Sequence, residues 1–507
     1  MPNQKTTQQV EFGDFQTPPD LANQICAFLD AEGIRPVSVL EPTCGKGNLL
    51  LAATDRFGSM QKAMGLDINS EYIEALQQTV STYPNPKRIV TITNDFFRVE
   101  WKNIFNQLID PILIIGNPPW VTNTELATFN SQNLPQKSNF QQFSGLDAIT
   151  GKSNFDISEW MLIHLLEQAK GHQATLAMLC KTSVARRVLT HAWKNLFQLG
   201  ESKLYLIDAK KFFDVAVDAC LLVCTLDDAP INSTCHIYTS LDRNTYQTTC
   251  GLIDKRLVAD LNLFARWRHL RGESAYKWRS GIKHDCAKIM EFKRVSNVYQ
   301  NGLGEQYPLE DQYLYPMLKS SDVANATHPT PHRWMLVTQA MVGADTQALQ
   351  VTAPLTWRYL HAYSNFLDAR KSAVYKKQPR FAIFGVGDYS FAPWKVAISS
   401  LYKKLHFAVV APHAGKPVVF DDTCYFIACT TEAEAECLAA LLNSPIANEF
   451  FNSLIFWDTK RPITVEILNQ LDILALAQVL GKFEQFKLLT SAKSTANLEA
   501  QQLSLFA

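Results

Sequence analysis

Hydrophobic and polar positions follow a regular order through residues 17–226, where short apolar runs alternate with longer amphipathic stretches. Short apolar runs predict buried strands, and stretches with helical periodicity predict helices. Strands are predicted at residues 37–40, 62–66, 88–93, 111–116, 174–180, 203–207 and 220–226. Helices are predicted at residues 18–30, with Thr17 as N-cap, and at 48–56, 70–79, 155–170 and 184–199. The order predicts an α/β fold with a doubly wound, mainly parallel sheet and an antiparallel end.

Three segments break this alternation. Residues 121–154 are polar and rich in Asn, Gln and Ser, and a loop of that length is either functional or mobile. Beyond about residue 240 the chain becomes aromatic and basic with many turn signals, which is typical of a separate domain of unassigned topology. The last residues are polar and poor in aromatics. We therefore predict domains at 1–235 and 236–490, followed by a flexible tail at 491–507.

The net charge of the 507 residues is zero, but the charges are unevenly distributed. Residues 261–300 hold 9 basic and 3 acidic side chains, and residues 366–404 hold 8 and 2, so each segment has a net charge of +6. Basic clusters of this kind indicate a nucleic-acid-binding surface, although a charged run is more often a solvated face. The second half is therefore the part of the chain in which such a surface is expected.

Composition also bears on compartment and metals. No apolar run approaches the ~20 residues that span a bilayer, and the first 15 residues contain no apolar signal core. We therefore expect a cytoplasmic protein that does not bind membranes. The 11 cysteines lack CxxC pairs and histidine partners at ligand spacing, which predicts reduced thiols and no structural metal.

The tetrapeptide Asn117-Pro118-Pro119-Trp120 directly follows the apolar run at 111–116. Consecutive prolines hold the backbone extended where a buried strand ends, and this is the edge at which open α/β sheets bind ligands. The Asn117 amide oxygen, the Pro118 carbonyl and the Trp120 ring could together hold a flat base by its amino group. This arrangement suits methylation of an amino group, whereas the alternative is a strand that simply stops at a Pro-Pro turn.

A second set of residues predicts a nucleotide-like cofactor. The segment Glu41–Asn48 links the first strand to a helix, and Gly45 and Gly47 allow a tight turn in which the backbone approaches a ligand. Asp67 ends the next strand and could accept hydrogen bonds from a ribose diol, or alternatively cap the following helix. Asp95 ends the third strand, where it could accept from an adenine amino group with Phe96 or Phe97 against the ring.

The order of these elements over roughly residues 12–226 resembles the gamma class of amino-methylating DNA methyltransferases, most closely the N6-adenine type. In that class, a Thr-Pro-Pro element, a Glu-Pro-x-x-Gly-x-Gly loop, an acidic strand end, an Asp-Phe pair and an Asn-Pro-Pro-aromatic motif follow one another in this order. The resemblance implies a Rossmann-like catalytic domain at 1–235 that uses S-adenosylmethionine, and an α+β DNA-recognition domain at 236–490.

The resemblance also implies roles for individual residues. The implied cofactor contacts are Thr17, Glu41, Pro42, Thr43, Gly45, Gly47, Asp67, Ile68, Asp95, Phe96 and Asn117, and the implied catalytic residues are Asn117, Pro118, Pro119 and Trp120. Trp120 and Phe213 would stack on opposite faces of the target base, with Phe212 as the alternative to Phe213. Lys46 departs from the small or acidic residue of the class and is expected to face solvent or DNA phosphate.

The expected function is therefore transfer of a methyl group to adenine N6 of a flipped-out base in double-stranded DNA, within a bacterial restriction-modification system. The alternatives are N4-cytosine methylation and a non-catalytic DNA-binding component of a defence system.

No nuclease motif is found, so cleavage would belong to a separate endonuclease. The terminal Gln502-Leu503-Ser504-Leu505-Phe506 resembles a peptide that docks on the bacterial sliding clamp, or it is an apolar patch that folds back. A nucleoid association is expected.

Overall fold

The apolar runs of the first half form one large sheet in the computed structural model, which describes residues 16–121, 156–227, 232–274 and 276–489. Its strands are β1 (Ser38–Glu41), β2 (Lys62–Asp67), β3 (Ile89–Thr93), β4 (Ile112–Gly116), β5 (Ala174–Lys181), β6 (Leu199–Ile207), β7 (Ala219–Leu226), β8 (Thr234–Tyr238), β9 (Tyr246–Ile253) and β10 (Arg256–Val258). The spatial order is β10-β9-β8-β6-β7-β5-β4-β1-β2-β3. Strands β5, β4, β1, β2 and β3 run parallel, and β7 is antiparallel to both β5 and β6, so the predicted sheet and its antiparallel end are confirmed.

Helices connect these strands. They are α1 (Pro19–Ala31), α2 (Asn48–Arg56), α3 (Ser70–Ser81), α4 (Trp101–Phe105), α5 (Ile157–Gln168), α6 (Thr182–Lys194) and α7 (Ala209–Phe213). The predicted N-cap at Thr17 is wrong, because Pro18 occupies that position and no side chain caps the helix. The predicted helix end at residue 199 is also wrong, since α6 stops at Lys194 and Leu199 already starts β6.

Burial explains why the sequence of β4 is a continuous apolar run. All five residues of β4 are buried, and the strand lies between β1 and β5 in the middle of the parallel region. A strand covered on both faces needs apolar side chains at every position, rather than at alternate ones. Helix α1 covers part of the sheet with Leu21, Ile25 and Leu29, which are fully buried, and each such side chain contributes roughly 1.5–3 kcal/mol of hydrophobic free energy.

The large sheet extends further along the chain than the sequence predicts. Residues 1–261 form one unit and residues 262–507 another. The predicted boundary at residue 235 falls inside β8, which pairs with β6 and continues through β9 to β10. The polar content of these three strands, which are only partly buried, hides them from a search for apolar runs.

The second unit is an α+β domain. Its strands are β11 (Arg279–Ser280), β12 (Glu291–Val295), β13 (Val298–Asn301), β14 (Gln306–Tyr307), β15 (Leu314–Leu318), β16 (Arg333–Leu336), β17 (Trp394–Ser399), β18 (Ala408–Val410), β19 (Val419–Phe420) and β20 (Cys424–Cys429). They form a four-stranded sheet, β11-β20-β17-β18, and a six-stranded sheet, β14-β13-β12-β16-β15-β19. Neighbouring strands are antiparallel, except that β15 and β19 are parallel.

The helices of this unit are short. They are α8 (Leu261–Trp267), α9 (Ala287–Met290), α10 (Ser320–Asn325), α11 (Leu349–Thr352), α12 (Pro354–Ala362), α13 (Ser364–Asp368), α14 (Glu432–Leu442), α15 (Pro445–Asn452), α16 (Val465–Leu468) and α17 (Ile473–Val479). Within the described ranges, every helix of the chain is too short or too polar to cross a membrane.

The position of the boundary can be tested with two fragments. A fragment that ends after Leu261 is expected to unfold cooperatively, because it keeps the pairing of β8 with β6. A fragment that ends after residue 235 removes most of β8 and exposes the edge of β6, so we expect it to aggregate or to melt without cooperativity. Circular dichroism during heating measures both. Equal melting of the two fragments would contradict the boundary seen here.

Candidate functional site

The main cleft of the first unit lies at the carboxyl ends of the parallel strands. Its free space, with the open mouth included, is about 1020 Å³. The loops after β1, β2, β3 and β4 all contribute to its wall, as expected for a ligand site of an open α/β sheet. Its lining residues are Gln16, Thr17, Glu41, Pro42, Thr43, Cys44, Gly45, Asn48, Leu49, Asp67, Ile68, Asn69, Tyr72, Asn94, Asp95, Phe96, Phe97, Asn117, Pro119, Val121, Ile157 and Met161.

The structure brings together nearly all of the predicted cofactor residues. Of those predicted, only Gly47 is not among the lining residues. Both glycines of the loop have positive φ angles, +50° at Gly45 and +80° at Gly47, which side-chain-bearing residues adopt at a cost. A Cβ on Gly47 would lie 2.4 Å from a methyl group of Leu76. Gly47 therefore lets helix α2 pack against helix α3, whereas Gly45 forms the wall of the cleft.

Asp67 links the loops that follow β1 and β2. Its Oδ2 accepts a hydrogen bond from the Gly45 amide at 2.7 Å, and its Oδ1 accepts from the Asn69 amide at 2.9 Å. The sequence left open whether Asp67 caps the following helix. The cap is instead Asn69, whose side chain accepts from the amides of Glu71 and Tyr72. A carboxylate has about four acceptor positions, so Asp67 can hold this turn and still accept from a diol in the cleft.

Glu41 is a buried acid at the end of β1, with only 3% of its surface exposed. Its Oε2 accepts from the amide of Leu50 at 2.9 Å. Burial raises the pKa of this carboxyl well above its ordinary value near 4.5, and the negative charge of Asp67 adds to the rise. A cationic ligand group in the cleft would favour the ionised form of Glu41.

The loop after β3 supplies an acidic and an aromatic wall. Asp95 accepts from the amide of Phe97 at 3.0 Å. Phe96 is buried against Trp101, with ring centroids 4.6 Å apart, whereas Phe97 is only partly buried. Both rings line the cleft, and Phe97 is the one with more surface available to a ligand. Phe96 therefore belongs mainly to the core of the unit.

The Asn-Pro-Pro-Trp segment follows β4 directly, and a lysine on the neighbouring strand holds it in place. Asn117 and Pro119 line the cleft, while Pro118 and Trp120 are buried. Lys181, the last residue of β5, donates from Nζ to the Trp120 carbonyl at 3.0 Å and to Asp156 Oδ2 at 2.6 Å. Asp156 is the N-cap of helix α5, and only 4% of its side chain is exposed.

Lys181 therefore joins the two ends of the segment at 122–155, which lies outside the described residues. A backbone hydrogen bond from Ile157 to the Val121 carbonyl, at 3.0 Å, joins the same two ends. Sequence reasoning missed Lys181. The available signal was its position, since a charged residue at the carboxyl end of a strand next to β4 must face either solvent or the site.

The two rings predicted to sandwich the target base are in contact with each other. Trp120 and Phe213 pack edge to face, with centroids 5.2 Å apart and planes at 66°. A base between parallel rings needs roughly 7 Å between them, twice a carbon–carbon contact distance. The rings are thus adjacent but leave no slot for a base in this conformation. Phe212 instead lies against the ammonium of Lys211, at 4.9 Å from the centroid.

Further residues around the cleft were not predicted as ligand contacts. Gln16 accepts from the Lys46 amide at 3.1 Å, and Asn48 donates to the Thr17 carbonyl at 2.8 Å. These bonds hold the Thr17 segment against the glycine loop. Lys46 is exposed, as expected, and its ammonium lies 5.8 Å from the Tyr72 ring.

In the second unit, the two basic segments at 261–300 and 366–404 contact each other. Lys283 and Phe384 exchange backbone hydrogen bonds of 2.8 and 2.9 Å, and the Arg279 guanidinium lies 4.7 Å from the Tyr389 ring centroid. Trp278, which lies in the first of these segments, is buried and belongs to the core. Trp267 donates to Glu449 at 2.6 Å.

The cleft suits S-adenosylmethionine on its own chemistry. The Thr43 hydroxyl oxygen is buried and has no hydrogen-bond partner within the described part of the chain, so a polar ligand would satisfy it. Two carboxylates can accept hydroxyl and amino hydrogens, and Ile68, Ile157 and Met161 supply apolar surface for an adenine ring. Over the described ranges, no group of three or more His, Cys, Asp or Glu side chains is arranged to hold a metal ion.

Comparisons with known proteins agree with this fit. No family model matches the chain. The Type II methyltransferase M.NspV from Nostoc sp. is 46% identical over 473 residues, which cover 93% of this chain and 98% of that protein. The structure of the Type IIL restriction-modification enzyme MmeI in complex with DNA matches with a TM-score of 0.53 at 13% identity. That match covers 89% of this chain but 64% of the MmeI chain, less than two thirds, and at this identity it shows likeness of fold alone.

The Rossmann-like fold and the cleft, together with the likeness to M.NspV, define an S-adenosylmethionine-dependent methyltransferase. The chain belongs to the Type II methyltransferases, because its likeness to M.NspV extends over nearly the full length of both proteins. S-Adenosylmethionine is its methyl donor.

Glu41→Gln tests the buried acid through pH. Because the folded-state pKa of Glu41 is raised, the wild type loses stability as the pH rises from the ordinary carboxyl pKa towards the folded one. The variant has no such loss, so its melting temperature should exceed that of the wild type by a margin that grows between pH 4.5 and 8 in the absence of cofactor. Calorimetry at several pH values measures this margin. A margin that does not change with pH would show that Glu41 is ionised in the free protein.

Lys181→Met tests the link between Trp120 and Asp156. Removal of the ammonium leaves a buried carboxylate without its cation, and we expect a loss of about 1–3 kcal/mol in unfolding free energy. The kcat of methyl transfer should fall more than tenfold, while the Kd of S-adenosylmethionine stays within a few-fold. Lys181→Arg, which keeps the charge, should recover part of kcat. A structural role alone would lower stability but leave the kcat of the folded fraction unchanged.

Proposed function

We propose that the chain is a site-specific DNA methyltransferase that transfers the methyl group of S-adenosylmethionine to adenine N6 in double-stranded DNA. The observation that carries the proposal is the position of Asn117, at the carboxyl end of β4 and in the same cleft as Asp67 and Asp95. The acceptor side of a methyl transfer thereby adjoins the proposed cofactor residues. The name of the relative M.NspV and the DNA in the MmeI structure support DNA as the substrate.

The proposed chemistry needs acceptors rather than a strong base. The lone pair of an exocyclic amino nitrogen is conjugated into the ring, so the nitrogen is a poor nucleophile. In our proposal the Asn117 side-chain oxygen and the Pro118 carbonyl accept the two amino hydrogens and favour a pyramidal nitrogen, in which the lone pair is available. When bound, S-adenosylmethionine supplies an electrophilic methyl group. The chain contributes mainly by positioning the base amino group.

The segment around Asn117 is stiff enough for this role. The two prolines restrict its backbone, and Lys181 fixes the carbonyl of Trp120 at its end. Stacking on Trp120 would contribute about 1–3 kcal/mol to base binding. Because the amino group is inaccessible within a duplex, we propose that the target nucleotide is flipped out and that Trp120 and Phe213 separate to admit it.

We further propose that the second unit recognises the DNA sequence and that the enzyme acts in the bacterial cytoplasm, in association with the nucleoid. Since the chain has no recognisable nuclease motif, its restriction partner would be a separate endonuclease. The proposed clamp-docking peptide at Gln502–Phe506 lies outside the described residues. Its test is deletion of residues 502–507, after which co-elution with the sliding clamp should be lost.

Incubation with isotope-labelled S-adenosylmethionine and duplex DNA, followed by nucleoside analysis, tests the reaction. We expect N6-methyl-2′-deoxyadenosine. N4-methylcytosine would establish the alternative base, and no labelled nucleoside would favour a non-catalytic DNA-binding component. Sequencing of the methylated positions then identifies the recognition sequence.

Asn117→Ala should lower kcat by about 10²–10³-fold, the effect of losing one preorganised hydrogen-bond partner, while cofactor binding survives. Asn103→Ala, an exposed asparagine on helix α4, is the matched control and should behave as the wild type. Near-normal transfer by Asn117→Ala would contradict its role as acceptor.

A further inference from the structure

A short loop of the second unit exposes apolar side chains at its tip. Met341 is 57% exposed and Val342 is 39% exposed, although the two residues at the base of the loop, Thr338 and Gln339, are buried. Large apolar side chains that stay exposed at a loop tip contribute no hydrophobic free energy to the folding of the unit, because their surface remains in water. They therefore indicate a surface that becomes covered by something else.

The loop is held rigidly at its base. The Thr338 hydroxyl donates to the Phe381 carbonyl at 2.8 Å, and the Gln339 side-chain oxygen accepts from the Ile383 amide at 2.9 Å. The same Gln339 side chain donates to the Ala344 carbonyl at 2.5 Å and so closes the loop on itself. Both ends of the tip are thus fixed by hydrogen bonds of one buried amide.

These contacts place the tip beside the basic segment Lys376–Arg380. A Cβ on Gly343 would lie 3.7 Å from the Gln378 side-chain oxygen. Lys376 and Lys377 are exposed, and neither has an ion-pair partner among the residues that the structure describes. Arg380, by contrast, is paired with Asp368 at 2.7 Å.

The basic segment is fixed as well. The Arg370 guanidinium donates to the carbonyls of Arg380 at 3.2 Å and Ala382 at 2.7 Å, and it lies 3.8 Å from the Tyr375 ring centroid. Hydrogen bonds therefore anchor both the loop and the basic segment, and the two meet where Gly343 approaches Gln378.

We propose that the tip Met341–Val342 inserts into a groove of the target DNA against the base edges or between base steps, while Lys376 and Lys377 contact the adjacent phosphates. Apolar side chains that enter a groove commonly do so beside lysines or arginines on the backbone. The charge of the two lysines favours a polyanion over an apolar protein partner. This inference rests on the proposed function, since it names the surface by which the second unit contacts DNA.

The tip is tested with the full-length double variant Met341→Ala/Val342→Ala and a duplex that carries the sequence methylated by the wild type. Loss of the apolar contact with the bases should weaken binding at least several-fold. In the wild-type complex, 2-aminopurine placed at successive positions should fluoresce more strongly at one base step. The double variant should lose this enhancement. Val351→Ala, which removes an 85% exposed apolar side chain from helix α11, is the matched control and should leave both readings unchanged.

The lysines are tested by the salt dependence of binding. Lys376→Gln/Lys377→Gln should reduce the slope of log K against log salt concentration by about 1.8, because each phosphate contact contributes about 0.9. Lys62→Gln/Lys170→Gln is the control. It removes the partly exposed Lys62 and the exposed Lys170, which lie near the amino ends of strands in the large sheet, and it should leave the slope unchanged.

The outcomes separate this inference from the proposed function. If the wild type methylates DNA but the tip and lysine variants bind it like the wild type, the inference is wrong and the surface serves another partner. If the wild type does not methylate DNA, the proposed function itself is wrong. S-Adenosylmethionine binding and melting temperature, measured for each variant, show that a loss of DNA binding is not a loss of folding.

Discussion

The hydrogen bonds of the Asp67 carboxylate are the interaction on which the cleft depends. Parallel strands bring their carboxyl ends to one edge, but the loops that leave this edge have unpaired amides and need acceptors. Asp67 accepts from Gly45 in the first loop and from Asn69 in its own loop. The glycine turn, the start of helix α3 and the carboxylate itself are therefore positioned together, so the residue that we propose to bind the cofactor also shapes the pocket.

A comparable link organises the side of the cleft at which we propose that the base is held. Lys181 contacts the Trp120 carbonyl and the carboxylate that caps helix α5. Its ammonium thus neutralises a buried acid while it fixes the end of the Asn-Pro-Pro-Trp segment. Asp67 ends β2 and Lys181 ends β5, and β1 and the buried β4 lie between these two strands. A methyl transfer that proceeds by positioning requires this kind of rigidity.

Sequence reasoning identified the parallel sheet and most residues of the cleft because these depend on local patterns. Strand β4 is apolar throughout, since both its faces are covered, and the glycine loop, Asp67 and Asp95 follow strands directly. It failed where the pattern was not local. Strands β8 to β10 are only partly buried and carry polar residues, so the boundary was set 26 residues too early, at residue 235 rather than Leu261. Thr17 resembled a helix cap although Pro18 has that position.

The sequence by itself determined the order of the elements and the chemistry available at the ends of the strands, because hydrophobic periodicity and residue type are properties of short segments. Only the tertiary structure decided which of those groups meet. It assigned Gly47 to helix packing, placed Trp120 against Phe213, and brought Lys181 to Asp156 across 25 residues. It also set Gly343, in the loop that exposes Met341, beside Gln378 of the basic segment. Such contacts depend on the register of neighbouring strands and on burial, which are set by packing between segments distant in the chain.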